Sequence, residues 1–182
     1  ETKAAFRARL FAATLGALSA LAATGARCGA WLMPPGEGQL IAGAAFSGST
    51  RAFDSRGRLK SSFFVDSRNW RGGLSVAAGD FSGDHYNQIA VGYGAGSEPQ
   101  VRIFNPDGRI VSAFLAYEKD FRGGVDLAAG NLDGRADGNK AEIIVAPGAG
   151  QEPLIKVFDN RASLKSSFSA FGHNWQGGIT LA

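Results

Sequence analysis

Short apolar runs, separated by turns rich in glycine and polar residues, dominate the chain from about residue 39 onwards. In the central region these runs are 125–132 (VDLAAGNL), 141–148 (AEIIVAPG), 154–159 (LIKVFD) and 163–171 (SLKSSFSAF). Each run is rich in Val, Ile, Leu and Phe, and Gly, Pro, Asn or Asp bounds it. Brief runs bounded in this way predict β-strands, because amphipathic helices need longer segments with a 3.6-residue period.

The apolar pattern repeats along the chain. WRGGLSVAAGD (70–80) recurs as FRGGVDLAAGN (121–131) and begins again as WQGGITLA (175–182), with spacings of 51 and 54 residues. Upstream of each copy lie RAFDSRGRLKSSF (51–63), RIFNPDGRIVSAF (102–114) and KVFDNRASLKSSF (156–168). A period near 50 with four antiparallel strands per unit predicts an all-β fold built from β-propeller blades. The alternative is a β-solenoid, whose coils usually take about half as many residues.

Turn residues and aromatic residues also recur at fixed positions. Asn105-Pro106-Asp107-Gly108 and Asp54-Ser55-Arg56-Gly57 predict tight hairpin turns, in which glycine takes the positive φ. Two aligned sets of phenylalanines are expected to pack between neighbouring blades: Phe53, Phe104 and Phe158, and Phe63, Phe114 and Phe168. The aromatic residues before each double glycine are expected to wedge the corner between blades: Trp70, Phe121 and Trp175.

The segments IAVGYGAGSEPQVRIF (89–104), IIVAPGAGQEPLIKVF (143–158) and FRGGVDLAAGNLDG (121–134) resemble FG-GAP repeats, also called VCBS-like repeats. Repeats of that family build integrin-type β-propellers and are common in secreted bacterial proteins. The resemblance covers about residues 39–182. It implies the propeller fold, but the same scaffold carries many unrelated activities.

In FG-GAP repeats the loop after the first strand reads approximately D-x-D-x-D-G-x-x-D and binds Ca²⁺, an ion that prefers several hard oxygen ligands. The resemblance therefore implies a structural Ca²⁺ as the one cofactor, held by one or both acidic loops. The candidate ligands are Asp80, Ser82, Asp84 and Gln88 in the first loop, and Asn131, Asp133, Asp137 and Glu142 in the second. Neutral oxygens replace two expected carboxylates in the first loop, His85 stands at the usual glycine, and three extra residues disturb the second loop. Calcium-free hairpin turns are the alternative for both loops, because Asp and Asn are common in turns.

The N-terminal segment differs from the repeats. Lys3, Arg7 and Arg9 precede the apolar stretch 10–23, and small residues follow it. This layout predicts a helical secretory signal peptide over 1–26, with an uncleaved membrane anchor as the alternative. Residues 27–38 are expected to form a linker. Cys28 is the only cysteine, so no disulfide can form within the chain.

The repeats divide into a partial blade (39–69), two fuller blades (70–120 and 121–174) and the start of another (175–182). The chain begins with Glu1 and reaches Ala182 within a repeat's first strand, so the sequence is expected to be a fragment. Propellers close with four to eight blades. Further blades of the same chain are therefore expected, and assembly of one ring from several chains is the alternative.

Charge and motifs restrict the function. The formal net charge of +3 falls to +1 without residues 1–26, which carry three of the 19 basic and one of the 16 acidic residues. The repeats contain no Lys or Arg run, so a nucleic-acid partner is not expected. Neither a nucleophilic triad nor a zinc motif is present, and GYGAGSE (92–98) and PGAGQE (147–152) are interpreted as tightly packed corners, not phosphate loops. We expect no enzymatic activity in this segment.

The predicted function is a secreted or cell-surface module for adhesion, binding an extracellular protein or a glycan, with the periplasm as an alternative location. No stable membrane insertion is expected after signal cleavage. The alternative function is the propeller part of a secreted carbohydrate-active or other hydrolytic enzyme. Tyr86, Tyr93 and Tyr117 are taken as exposed aromatic residues that either line a binding surface or cover blade edges.

Overall fold

A computed structural model describes residues 39–43, 48–54, 56–66, 70–132 and 140–181. These residues form an all-β structure with eleven strands and no helix. The strands are β1 (Gln39–Gly43), β2 (Ser49–Asp54), β3 (Leu59–Phe64), β4 (Leu74–Gly79), β5 (Gln88–Tyr93), β6 (Gln100–Phe104), β7 (Ile110–Leu115), β8 (Val125–Gly130), β9 (Glu142–Pro147), β10 (Leu154–Phe158) and β11 (Leu164–Ser169).

The strands form three antiparallel sheets in chain order. The first sheet contains β1-β2-β3, the second β4-β5-β6-β7 and the third β8-β9-β10-β11. Equivalent strands pair in the same register: Gly79 lies opposite Gln88 in the second sheet, and Gly130 lies opposite Glu142 in the third. The prediction of four antiparallel strands per repeat is therefore confirmed for the second and third sheets. The three sheets do not close on one another.

The last hairpin of each sheet has the same irregular turn. Gly57 and Gly108 adopt φ values of 76° and 86°, as the turn sequences predict. In the third copy Ala162 takes this conformation, with φ of 64°. The pairing register shifts beside each of these turns, between Ala52 and Phe53 in the first sheet, for example. A turn that ends in a residue of positive φ and leads into a bulge is a common three-residue hairpin connection.

The core lies between the sheets. One buried cluster joins Ala52 and Val65 of the first sheet to the second sheet, and the other joins Val101 and Ile103 of the second sheet to Ile143 of the third. Strands β4 and β5 are buried along their whole length, whereas β11 is exposed along its whole length. Strand β4 lies beside β8, and β1 lies beside β4, so the first strands of successive sheets are neighbours.

Aromatic pairs hold successive sheets together. The rings of Phe63 and Phe104 have centroids 5.0 Å apart, and those of Phe114 and Phe158 are 4.8 Å apart. Each pair joins the last strand of one sheet to the third strand of the next, so the predicted packing between units is confirmed at both contacts. Phe168, the next member of the series, is exposed.

Two of the predicted segments, the signal peptide over 1–26 and the linker over 27–38, lie outside the described residues. In the part of the chain that the structure does describe, no helix has the length and apolar character needed to cross a bilayer.

Candidate functional site

A cleft of about 340 Å³ lies where the double-glycine turns of successive repeats meet. Equivalent positions of three repeats form its lining, namely the double glycine and the two residues that follow it. The corner after the second strand also contributes, in the second and the third sheet. The lining residues are Gly72, Gly73, Leu74, Ser75, Gly94, Ala95, Gly123, Gly124, Val125, Asp126, Gly148, Ala149, Gly177, Gly178, Ile179 and Thr180. The repeat therefore builds the cleft.

Glycine is required at the corner because two backbone segments touch there. A Cβ on Gly94 would collide with the carbonyl oxygen of Gly72, and a Cβ on Gly148 would collide with that of Gly123. The N–H of Gly148 donates to the carbonyl of Gly124 at 2.8 Å, which fixes this close approach. The structure thus confirms that GYGAGSE and PGAGQE are packed corners.

Backbone hydrogen bonds also join the corner of each sheet to the next repeat. The N–H of Gly96 donates to the carbonyl of Arg122 at 2.8 Å, and the N–H of Gly150 donates to that of Gln176 at 3.0 Å. The two bonds are equivalent by position. Residues 175–181 therefore contact the third sheet through the same backbone hydrogen bond that links the second sheet to the start of the third.

Three equivalent positions give the cleft its polar side chains: Ser75, Asp126 and Thr180. Ser75 and Asp126 are buried, whereas Thr180 is exposed. The Ser75 hydroxyl donates to Asp126 Oδ1 at 2.5 Å and accepts the N–H of Leu127 at 3.0 Å. Asp126 Oδ2 accepts the N–H of Leu181 at 3.1 Å. One carboxylate therefore connects all three repeats at the base of the cleft.

These three residues were not among the predicted site residues. A signal was present, because each is the single polar residue near the start of an otherwise apolar first strand, in LSVAAG, VDLAAG and ITLA. Only the stacking of the sheets shows that the three positions share one cleft.

The first acidic loop brings all of its predicted ligands together. Asp80 Oδ1 accepts the N–H groups of Gly83 and Asp84 at 2.6 and 3.2 Å, and Oδ2 accepts that of His85 at 2.7 Å. Asp84 Oδ1 accepts the N–H of Tyr86 at 2.9 Å. This backbone hydrogen bond is the largest cause that lowers the pKa of Asp84 below its usual value.

Gln88 closes the same loop from within the sheet. Its Oε1 accepts the N–H groups of Phe81 and Ser82 at 2.8 and 3.2 Å, and its Nε2 donates to the Ser82 hydroxyl and the Tyr86 carbonyl at 2.9 and 2.8 Å. His85 has φ of 66°, a left-handed conformation that residues other than glycine rarely adopt. As arranged, the loop oxygens fit a hydrogen-bonded turn, and Ca²⁺ would have to displace several backbone donors to bind them.

Only part of the second acidic loop is described, since Asp133 and Asp137 lie outside the described residues. Glu142 occupies the position of Gln88 and is buried. Its Oε2 accepts the N–H of Leu132 at 2.8 Å, and its Oε1 forms an ion pair with Lys165 Nζ at 2.6 Å. Asn131 precedes Leu132. No group of three or more His, Cys, Asp or Glu side chains gathers in a metal-binding arrangement among the described residues. Calcium binding stays a prediction.

The expectation of three exposed tyrosines is wrong for two of them. Tyr86 is exposed, but Tyr93 and Tyr117 are buried between sheets. The Tyr93 hydroxyl donates to the Val65 carbonyl at 3.2 Å, and the Tyr117 hydroxyl lies 2.9 and 2.7 Å from the carbonyls of Val145 and Leu154. Burial raises the pKa of Tyr93 to about 12 and raises that of Tyr117 further. Both tyrosines pack between sheets and are not exposed to a ligand.

The aromatic residues that were predicted to wedge the corner between units lie against the double glycines that follow them. Trp70 Nε1 donates to the Gly73 carbonyl at 2.9 Å, its ring covers Gly72, and its centroid is 5.5 Å from that of Tyr93. Trp175 repeats the hydrogen bond with Gly178 at 3.0 Å. These aromatic residues serve packing at the turn that lines the cleft.

No family model matches this sequence, and no curated protein matches it. Among solved structures, it is similar to the crystal structure of the V. cholerae biofilm matrix protein Bap1, with 17% sequence identity and a TM-score of 0.33. The alignment covers 79% of this chain and 28% of that chain, so this chain spans less than a third of that protein's length. A TM-score at this level does not establish a shared fold, and the proposals for this chain rest on its own residues.

Proposed function

We propose that the chain is part of an FG-GAP-type β-propeller and acts as a secreted or cell-surface binding module with glycan as its ligand class. The observation that supports binding is the cleft itself, which three successive repeats build from the same positions. Propellers place equivalent residues of successive blades around one end of the fold, where a ligand can contact several blades at once.

Glycan is the ligand class that fits the chemistry of the cleft. The lining combines backbone N–H and C=O groups of glycines with two hydroxyls and a carboxylate, and large side chains are few there. Small glycine-lined surfaces let a sugar ring approach the backbone, and a few convergent polar groups fix its orientation. The exposed Thr180 hydroxyl can donate to or accept from sugar hydroxyls, and the buried Asp126 holds the three repeats together beneath it.

A glycan microarray probed with the labelled full chain tests this proposal, with the affinity for any bound glycan measured by calorimetry. Ala149 lies exposed on the cleft lining, so Ala149→Trp fills the cleft and is expected to weaken binding at least about tenfold. Ala113→Trp is the matched control, because Ala113 is exposed on β7 outside the cleft. Unchanged binding by Ala149→Trp, or no binding to any glycan, would reject glycan binding at this cleft.

The extracellular location rests on residues 1–26. Export is tested by mass spectrometry of the exported protein, which is expected to show a new N-terminus near Arg27 or Cys28. Recovery of Glu1–Ala26 in the membrane fraction would instead identify the segment as an anchor.

A further inference from the structure

Glu142 is a buried carboxylate at the point where the second acidic loop ends. It is the first residue of β9, which we call the closing position of the loop, and it is one of the predicted calcium ligands. A buried carboxylate needs a cation beside it, because removal from water penalises the charged form. The identity of that cation therefore decides how the loop is held.

The cation beside Glu142 is the ammonium group of Lys165. Lys165 Nζ donates to Glu142 Oε1 at 2.6 Å, which is a charge-assisted hydrogen bond. The other carboxylate oxygen, Oε2, accepts the N–H of Leu132 at 2.8 Å. The Glu142 side chain is only 5% exposed and that of Lys165 is 38% exposed, so water reaches the pair from the lysine side. Both oxygens of the carboxylate thus have a partner within the chain.

The ion pair joins two strands that are not neighbours. In the third sheet β10 lies between β9 and β11, so the Lys165 side chain reaches across one strand to Glu142. The pairing register of β10 with β11 shifts between Val157 and Phe158, and Lys165 is the extra residue of that bulge. A bulge can redirect a side chain from the regular alternation of a strand. The irregular turn of the last hairpin thus places the lysine where it can reach the loop.

The second sheet has an uncharged version of the same arrangement. Gln88 stands at the closing position in place of Glu142, and Val111 is the extra residue of the bulge in place of Lys165. The amide of Gln88 both accepts and donates hydrogen bonds in its loop. A carboxylate can only accept, so Glu142 needs a positive donor from elsewhere in the chain. Lysine stands at the position that supplies it.

We propose that the ammonium group of Lys165 takes the place of a metal ion at Glu142, so that Glu142 closes the second loop as half of an ion pair and is not a calcium ligand. A divalent ion would have to displace an ammonium group held at 2.6 Å from a carboxylate that water hardly reaches. Lys165 is thus the residue that determines which cation Glu142 binds. The inference rests on the contacts of Glu142 alone and is independent of glycan binding at the cleft.

Thermal unfolding of the full chain in EDTA measures the role of Lys165 when no divalent ion is present. Lys165→Val should lower the melting temperature by about 5 °C or more, because it leaves a buried carboxylate without its cation. The double variant Glu142→Gln/Lys165→Val copies the residues of the second sheet and should recover most of that loss, since the charge and its partner are removed together. Lys60→Val is the matched control, because Lys60 is the exposed bulge residue of β3 and Gln39, not a carboxylate, stands at the closing position of that sheet. The control should shift the melting temperature by less than about 2 °C.

A second comparison asks directly whether Glu142 is a calcium ligand. The difference between the melting temperatures in millimolar Ca²⁺ and in EDTA should be the same for the wild type and for Glu142→Gln, because Glu142 contributes no ligand to the ion. Circular dichroism confirms that each variant folds. A smaller calcium-dependent rise in Glu142→Gln than in the wild type would overturn the proposal, as would a loss in Lys165→Val no larger than that of Lys60→Val, or a double variant that recovers nothing.

Discussion

Gly148 offers a direct test of the interpretation that the glycine-rich corners are packing features. A Cβ at this position would collide with the carbonyl oxygen of Gly123 and lie 2.8 Å from its carbonyl carbon. Both obstacles are backbone atoms, so no side chain can rotate away. Its φ is not in the left-handed region, so the cost of Gly148→Ala is steric only.

Overpacking a well-packed site costs about 1–3 kcal/mol, and a collision with backbone belongs at the upper end. We therefore expect Gly148→Ala to lower the free energy of unfolding by about 3 kcal/mol. For a chain of this size that corresponds to a melting temperature lower by roughly 6–12 °C. Thermal and urea unfolding followed by circular dichroism measure both quantities.

Two glycines provide matched controls. Gly130 has nothing within 4 Å of an added Cβ and no positive φ, so Gly130→Ala should be neutral or stabilise by up to about 1 kcal/mol. Gly150 also has open space, but its φ is 98°, so Gly150→Ala should cost about 1–2 kcal/mol from backbone strain alone. If Gly148→Ala and Gly130→Ala differ by less than about 0.5 kcal/mol, the close-packing argument is wrong.

Three further predictions concern the tyrosines, the hairpin turn and calcium. The pKa of Tyr93 is raised by burial to about 12, above an unfolded value near 10, so its stabilising effect is complete below pH 10 and is lost as the pH rises towards 12. Urea unfolding at pH 9 and 11.5 should show a smaller alkaline loss for Tyr93→Phe than for wild type, and equal losses would contradict the assignment. Ala162→Gly should raise the free energy of unfolding by about 1 kcal/mol, and Gly57→Ala should lower it by about the same amount, because both positions have positive φ. The space around Gly57 is open, so the added methyl group causes no collision. Effects of the same sign in urea titrations would disprove this account. Millimolar Ca²⁺ should release or absorb heat in calorimetry and raise the melting temperature, and Asp133→Ala should remove both effects; if neither is seen with the wild-type chain, both acidic loops are plain turns.

The sequence alone predicted much of the local structure. The short apolar runs indicated the strands, and the aligned phenylalanines indicated contacts between units, because strand periodicity and tight turns depend on residues close together in the chain. Gly57 and Gly108 were predicted to have positive φ for the same reason. The glycines at 94 and 148 were correctly interpreted as close-packed corners, since a collision that excludes Cβ recurs wherever the repeat recurs.

The tertiary structure decided which residues lie together and which are covered. Tyr93 and Tyr117 occupy different positions in their repeats, yet each lies at a contact between sheets, so alignment of the repeats gave no indication of their burial. Asp126 meets Ser75 and the N–H of Leu181 only because the first strands of successive repeats lie side by side. Phe168 has the same sequence context as Phe114 and is nevertheless exposed. The physical reason is that burial depends on which part of the fold lies against a residue in space, whereas a repeated local sequence determines only the strand and turn that the residue belongs to.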